Sequence, residues 1–416
     1  MRFRRRDLLL TLPMGGLALA ACRRGSTARD LLESLTNAPT GARAPAAGIV
    51  VMKDNLVIAS DAVGEAVVGE RAFTTRSPFR AASISKLATA LTAEKLHNDG
   101  VIDLDDGIRT WLPDFPTSGP AGEDGPSLRA LLSHTGGLRD PAEYWVAHPG
   151  TIDAIYSRSI FRSDTAFEYC NLGYGFVATA LEAATQRRFD RLAADYVLKP
   201  MGLDSGFNWV GVSLEKRRTG ASLYRETERG WEVQTDDRST LRGTDPAVLI
   251  DYDGDLSTYQ PGQNGTLFSP QGGLRASLVD LATLAARLKY APGLASPVWS
   301  LNDNQSNGVH DDRYFTQFGT GVHVHPAEES LWPGQTLWGH HGEAYGLYAG
   351  AWYTPGLDLS FAYAVTGTPE TPPARSARHP ALNTFTETLM DAVIAAYAAS
   401  PASNNSPVAS TPPNKA

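Results

Sequence analysis

Strand-like segments lie near both ends of this chain and helical periodicity fills the stretch between them, so the two ends must meet in one sheet. Gly48 to Val51 and Leu56 to Ala59 are apolar or β-branched runs around Lys53-Asp54-Asn55, the pattern of a hairpin. Leu347 to Tyr353 and Leu359 to Val365 repeat it around Thr354-Pro355-Gly356-Leu357-Asp358, and a helix is predicted from Pro380 to Ala398. Between them, Ala82 to Asn98, Ser127 to Leu132, Asn171 to Ala184, Asp190 to Val197 and Leu278 to Leu288 carry apolar residues at helical spacing. The pattern predicts an α/β (α+β) domain from residues 45–82 and 272–398, with a mostly helical domain, residues 83–271, inserted into it. A cleft at their junction is the expected active-site position, and the Gly-, Asp- and Thr-rich stretch from Val210 to Gln263 reads as loops shaping it.

A chain of 416 residues with 42% hydrophobic content can bury one large core or two modest ones. Its net charge of -8, with no long Lys/Arg run beyond the first 24 residues, gives no electrostatic footprint for nucleic acid. Arg4, Arg5 and Arg6 precede an apolar run from Leu8 to Ala21 that is too short to span a bilayer, so residues 1–22 are expected to be a signal peptide. The order Arg5-Arg6-Asp7-Leu8-Leu9 resembles a twin-arginine signal, and Leu19-Ala20-Ala21-Cys22 resembles a bacterial lipobox. Cys22 would then carry lipid and tether an exported, periplasmic or cell-surface protein to a membrane. Arg23 after that cysteine is not the Asp of an inner-membrane retention signal, which leans towards the outer membrane. Residues 23–44 read as a linker and the start of a first helix, and 399–416 as a flexible tail. Cys170 is the only other cysteine, so no disulfide is expected in the fold.

Ser83-Ile84-Ser85-Lys86 opens an apolar helix, and a separation of three puts Ser83 and Lys86 on one helical face. A serine hydroxyl is a weak nucleophile, and an amine held neutral by burial can take its proton. The same Ser-x-x-Lys pattern recurs at Ser213-Leu214-Glu215-Lys216, but there it precedes Arg217 and Arg218 in an exposed turn. Tyr169-Cys170-Asn171 is the only Tyr-x-Asn. A phenol beside an ammonium is expected to lose its proton more readily and serve as base and acid, with the Asn171 amide holding a substrate carbonyl. Taken alone, the triplet also fits a packed tyrosine followed by an asparagine helix cap. His340-His341-Gly342 precedes the second hairpin and is placed on a strand facing the cleft. Adjacent histidines can also bind metal or simply pack, but no His-Glu-x-x-His pattern points to a zinc hydrolase.

In order, Ser83-x-x-Lys86, Tyr169-x-Asn171 and His340-x-Gly342 resemble the active-site elements of the beta-lactamase-related serine hydrolases: class C beta-lactamases, D,D-peptidases and related esterases. Phe79-Arg80-Ala81-Ala82, Leu104-Asp105-Asp106 with Trp111-Leu112-Pro113, and Leu131-Leu132-Ser133-His134-Thr135-Gly136-Gly137-Leu138 resemble further family segments. So do Lys199-Pro200-Met201-Gly202-Leu203 and Gly272-Gly273-Leu274-Arg275-Ala276, and together they cover about residues 45 to 395. The resemblance implies an antiparallel sheet flanked by helices, an acyl-enzyme on Ser83, proton transfer by Lys86 and Tyr169, and an oxyanion hole from the amides of Ser83 and Glu343. Asn171, His340, Gly342 and Glu343 would line the substrate site. His134 is implied to be a packed residue, and no metal or organic cofactor is implied.

Two departures bear on substrate. Where many members have Lys-Thr-Gly this chain has His340-His341-Gly342, and Cys170 replaces a small middle residue. A histidine, largely neutral near pH 7, holds a substrate carboxylate less well than a permanent ammonium. Penicillin hydrolysis is thereby weakened, while cell-wall D-Ala-D-Ala peptides and uncharged esters stay open as substrates. Cys170 is expected to pack, with an accessible thiol as the alternative. The competing functional reading is a lipoprotein that binds cell-wall peptide without turnover.

Overall fold

The computed structural model describes residues 26–37, 44–158, 160–161, 164–234, 256–301, 314–369, 371 and 373–405. The segment expected to be a leader, with Arg4 to Arg6, and Cys22, expected to carry lipid, lie outside the described residues, as do the end of the tail and residues 235–255 of the long loop region.

Both hairpins form, with longer strands than the apolar runs alone: β1 (Ala46–Lys53) with β2 (Leu56–Val67), and β8 (Leu347–Thr354) with β9 (Leu359–Thr366). Short β3 (Arg71–Ala72) extends one edge, and β4 (Trp299–Ser300), β5 (Gln317–Phe318), β6 (His323–His325) and β7 (Leu337–Ala344) extend the other. Among the described residues they make one nine-stranded sheet in the order β4-β5-β6-β7-β8-β9-β1-β2-β3, antiparallel throughout. The join between the chain ends is β1 against β9, with Ala46 opposite Thr366 and Lys53 opposite Leu359.

Alternation along these strands feeds two cores. Ile49, Val51, Phe361 and Tyr363 pack beneath the terminal helices α1 (Ala28–Thr36) and α6 (Thr384–Ala399). Val50, Met52, Ala362 and Ala364 face the other way, where α5 (Leu278–Ala286) and the inserted helices lie. The insert centres on α2 (Ser85–Asn98) and α4 (Leu172–Thr185), with short α3 (Leu128–Leu132) against α4. Helices α2 and α4 are buried on nearly all sides, which is why their sequences show a weak polar face.

Differences from the sequence expectations have local causes. The stretch read as loops from Val210 holds a hairpin, Leu223–Thr227 with Gly230–Gln234. Only Leu223 and Tyr224 of it are buried, so it lacks a two-residue apolar alternation. The helix expected from Asp190 to Val197 runs as Phe189–Ala193 and then widens into a π-helical turn, Ala194–Leu198. The last helix starts at Thr384 and not at Pro380, because Asn383 caps it. Its side chain accepts from the Phe385 and Thr386 amides at 3.0 Å each, while its own amide donates to Thr386 Oγ1 at 2.8 Å. Asn383→Ala is expected to lower stability by about 1 kcal/mol in urea denaturation with an unchanged m-value; a neutral result would show that the cap contributes nothing.

Candidate active site

Phe79 and Arg80 pair with Ala276 and Arg275, and the Ala81 amide donates to Leu274 O at 2.8 Å, which pins the chain just before Ser83. Ala82 sits at φ 49, a left-handed conformation that costs a non-glycine residue on the order of 1 kcal/mol or more. Ser85 holds that turn: its hydroxyl donates to Ala82 O at 2.6 Å and accepts from the Leu274 amide at 2.9 Å. The chain then passes through a 3₁₀ turn, Ala82–Ile84, into α2. Of the two serines, Ser85 is buried and committed, while Ser83 is half-buried and open.

One turn on, Lys86 is fully buried. Its ammonium has three acceptors: Ser83 Oγ at 3.2 Å, Asn171 Oδ1 at 2.7 Å and Gln271 O at 3.1 Å. Its Nζ also lies over the faces of Tyr169 and Tyr174, 4.7 and 5.2 Å from the ring centroids. Burial lowers its pKa to about 7, against the pull of Asp140 and the Cys170 thiol, so the neutral amine is abundant at neutral pH. Asn171 Oδ1 and Gln271 O can only accept, so a neutral amine keeps its two N–H groups on them. Its lone pair is left directed at Ser83.

Tyr169 is half-buried and hydrogen-bonds to the Ser83 side chain. Burial pushes its hydroxyl pKa well up, so it stays a neutral phenol at any ordinary pH. The expectation that a neighbouring ammonium would make it acidic is thereby corrected: desolvation outweighs that attraction, and the same desolvation removes much of the positive charge from Lys86.

Asn171 has partners inside the protein. Its amide oxygen is on Lys86 and its Nδ2 donates to Asp140 Oδ2 at 2.8 Å, so the side chain bridges the two charged groups. Asp140 also accepts from the Asn171 amide at 2.9 Å, the Leu172 amide at 2.8 Å and Cys170 Sγ at 3.2 Å, and so caps the N-terminus of α4. His134 is buried at φ 62, accepts from the Cys170 amide at Nδ1 (3.0 Å) and lies against the Tyr169 ring with centroids 4.3 Å apart. It therefore packs and positions Tyr169 from beneath.

The third side of the site is β7. Trp338, His340 and Gly342 alternate on the face towards α2, and a side chain at Gly342 would bring a Cβ to 2.7 Å from Ala81 O and 3.1 Å from Ile84 Cγ1. Gly342 thus lets the strand lie directly on the Ser83 turn, bringing the Glu343 backbone beside it, with Glu343 opposite Tyr348 on β8. His340 is buried, its ring 6.3 Å from that of Tyr169 between centroids. Its Nδ1 donates to His341 O at 2.6 Å, which assigns the proton to that nitrogen and leaves Nε2 bare. Burial and the Lys86 charge hold its pKa at about 3, so it is a neutral imidazole.

The family profile described as Beta-lactamase matches residues 29–384. The chain belongs to the Beta-lactamase family. Among curated relatives, it is 29% identical over 155 residues to Penicillin-binding protein 4* of Bacillus subtilis (strain 168), covering 34% of this chain and 32% of that one. It is 27% identical over 227 residues to the D-aminopeptidase of Brucella anthropi, covering 50% and 39%. The chain thus aligns with about a third of the length of these relatives. Among solved structures, the D-amino acid amidase from Ochrobactrum anthropi SV3 complexed with L-phenylalanine amide superposes with a TM-score of 0.62 at 16% identity, over 88% of this chain and 98% of the other. EstCE1, a hydrolase with promiscuous acyltransferase activity, also gives 0.62, at 19% identity over 90% and 100%. The fold is therefore the beta-lactamase/transpeptidase fold.

Within this family fold, Ser83, Lys86, Tyr169, Asn171, His340 and Gly342 meet at one place, and Ser213 and Lys216 do not. Ser213 caps the short helix Leu214–Arg217, accepting from the Lys216 amide at 3.2 Å and donating to Asp204, while Lys216 Nζ pairs with Asp280. Sequence reasoning missed Asp140, whose isolated position carries no motif, and Gln271, which acts through its backbone carbonyl. Cys170 is packed and not a reactive handle: it is buried against Asp140, and burial and that carboxylate raise its thiol pKa. In the native protein, iodoacetamide should leave Cys170 unmodified by peptide mapping and alkylate it fully in guanidinium; ready alkylation of the folded chain would contradict this packing.

Proposed function

We propose that this chain is a serine hydrolase acting on amide or ester acyl donors through an acyl-enzyme on Ser83. The observation that carries the reading is the fully buried Lys86, poised near neutrality with its lone pair available to Ser83 alone.

In the proposed reaction, neutral Lys86 takes the Ser83 proton as Oγ attacks the acyl carbon, forming a C–O bond and moving the carbonyl electron pair onto oxygen. The backbone amides of Ser83 and Glu343 receive that oxyanion. Collapse breaks the bond to the leaving amine or alcohol, and Tyr169, a phenol that keeps its proton, donates to that group and recovers a proton from the Lys86 ammonium. Water then attacks the acyl-Ser83 carbonyl by the same path in reverse, releasing the acid and restoring the Ser83 hydroxyl.

The neutral His340 supports a substrate class. An imidazole with a pKa near 3 supplies no fixed cation where Lys-Thr-Gly members would supply one, so donors lacking a carboxylate at that position suit this site best. The likeness to a D-aminopeptidase and a D-amino acid amidase makes small amides, D-amino acid amides among them, the first substrates to test.

Wild type and Ser83→Ala are to be compared on a D-amino acid amide, a p-nitrophenyl ester, a D-Ala-D-Ala peptide and a chromogenic cephalosporin. Turnover of the amide or ester, exceeding that of the two carboxylate-bearing donors at least tenfold and lost in Ser83→Ala, is the expected result. The acylation rate should climb with pH and level off above about 7, because deprotonation of Lys86 creates the base. No turnover and no acyl adduct by intact mass would overturn the hydrolase reading and favour non-catalytic peptide binding.

The same reading includes export and a membrane tether through Cys22, supported by Arg4 to Arg6, the apolar run and Leu19-Ala20-Ala21-Cys22. Metabolic labelling with a tagged fatty acid should mark the wild type and not Cys22→Ala; equal labelling of both would remove the anchor.

A further inference from the structure

Behind the strand that carries His340 lies a second group of histidines that the acyl-transfer site does not use. His323 and His325 alternate on β6 and so share a face, and His323 pairs with Gly339 of β7, which puts His341 on that face too. Gly342 and His340 point the other way, towards the Ser83 turn. The three rings are buried, with 1%, 1% and 5% exposure for His323, His325 and His341. Around them stand Trp352, with ring centroids 5.2 Å from His325 and 4.8 Å from His341, and Tyr314, 5.1 Å from His341.

What makes this cluster unlike a packed core is its unmet hydrogen bonding. Both ring nitrogens of His323, and Nε2 of His325 and of His341, are buried without a partner. A buried nitrogen left without a partner loses the hydrogen bond that water would have given it, so imidazoles without a ligand are an unfavourable way to fill this space. One nitrogen from each residue can be chosen so that all lie within 4.8 Å of one another. His325 Nδ1 lies 3.4 Å from Thr316 Oγ1, which orients the ring and leaves Nε2 for another partner.

We propose that His323, His325 and His341 form a binding site for one divalent transition-metal ion, zinc above all. Three neutral imidazoles suit zinc, copper(II) or nickel and not magnesium or calcium. Burial among other histidines keeps all three rings uncharged, the form that ligates. A zinc–nitrogen distance of about 2.0–2.1 Å needs nitrogens about 3.3 Å apart, which small ring rotations supply, with water as the fourth ligand. The ion would clamp β6 to β7. It would also fix the carbonyl of His341 that accepts from His340 Nδ1, and the His323 ring, whose centroid lies 4.2 Å from that of His340 with the planes tilted by 53°. Its role is thus to hold β6 and β7 together beside the active site, next to His340, and it stands independently of the acyl-transfer reading.

The test uses untagged full chain, stripped with chelator, dialysed with zinc and then against metal-free buffer, with metal content measured by mass spectrometry. Wild type should retain about one zinc per chain and melt at a higher temperature with it. His325→Gln and His341→Gln should each bind at least tenfold more weakly, while His97→Gln, far from the cluster, should match wild type. Should the variants fold poorly by circular dichroism, cobalt(II) added to wild type gives the reading directly: an intense tetrahedral visible band that zinc displaces is expected. Folded wild type that retains no zinc and shows no such band would overturn the site, as would retention undiminished in folded His325→Gln and His341→Gln.

Discussion

The burial of Lys86 is the interaction on which the rest of this site depends. Taking the amine out of water lowers its pKa from 10.5 to about 7, a change on the order of 5 kcal/mol in favour of the neutral form. Charge would return if Asp140 touched the amine, but the carboxylate is held at one remove. It caps α4 and reaches Lys86 only through the Asn171 amide. The arrangement therefore attracts a proton enough to keep Lys86 a useful base and not enough to make it a permanent cation. Stability follows the same logic: between about pH 7 and 10.5 the unfolded chain binds a proton that the native Lys86 has released, so this residue's contribution rises with pH across that window.

The fold supplies the burial. Joining β1 to β9 makes one sheet from the two chain ends, and the helical insert lies against one face of it, so α2 is enclosed by α4, by the 270–274 segment and by β7. Thr89 and Ser85 lace that segment to α2 through Pro270 O and the Leu274 amide, which places Gln271 O on Lys86. Gly342 allows β7 to approach the strained Ala82 turn. Each element is therefore positioned by contacts on both sides of the domain junction, and only the open end of the site, at Ser83 and Tyr169, is left for substrate.

Much of this was legible in the sequence because it is local or periodic. Both hairpins show in their apolar runs, and Ser83 with Lys86 in helical spacing. Tyr169 and Asn171 flank one turn. What could not be read depends on which atoms approach through space. Asp140 lies about thirty residues from the groups it holds, Gln271 acts through a carbonyl that any residue possesses, and the polar hairpin after Leu223 lacks an apolar period. The direction of the Tyr169 pKa went wrong for the same reason. A neighbouring cation can be guessed from a motif, whereas the degree of burial that outweighs it cannot. The Ser213 pattern makes the converse point: identical spacing yields a helix cap and an ion pair when the serine is exposed and the lysine meets the Asp280 carboxylate directly.

The chain has seven lysines, which makes the protonation state of Lys86 directly measurable. With lysine labelled at Cε and Nζ, the titration of each side chain can be followed by NMR, and Lys86→Arg identifies its signal by loss. One lysine should titrate near pH 7, apart from the ordinary range near 10.4. A Lys86 signal that stays protonated up to the range of the other lysines would contradict the claim that burial makes it the base.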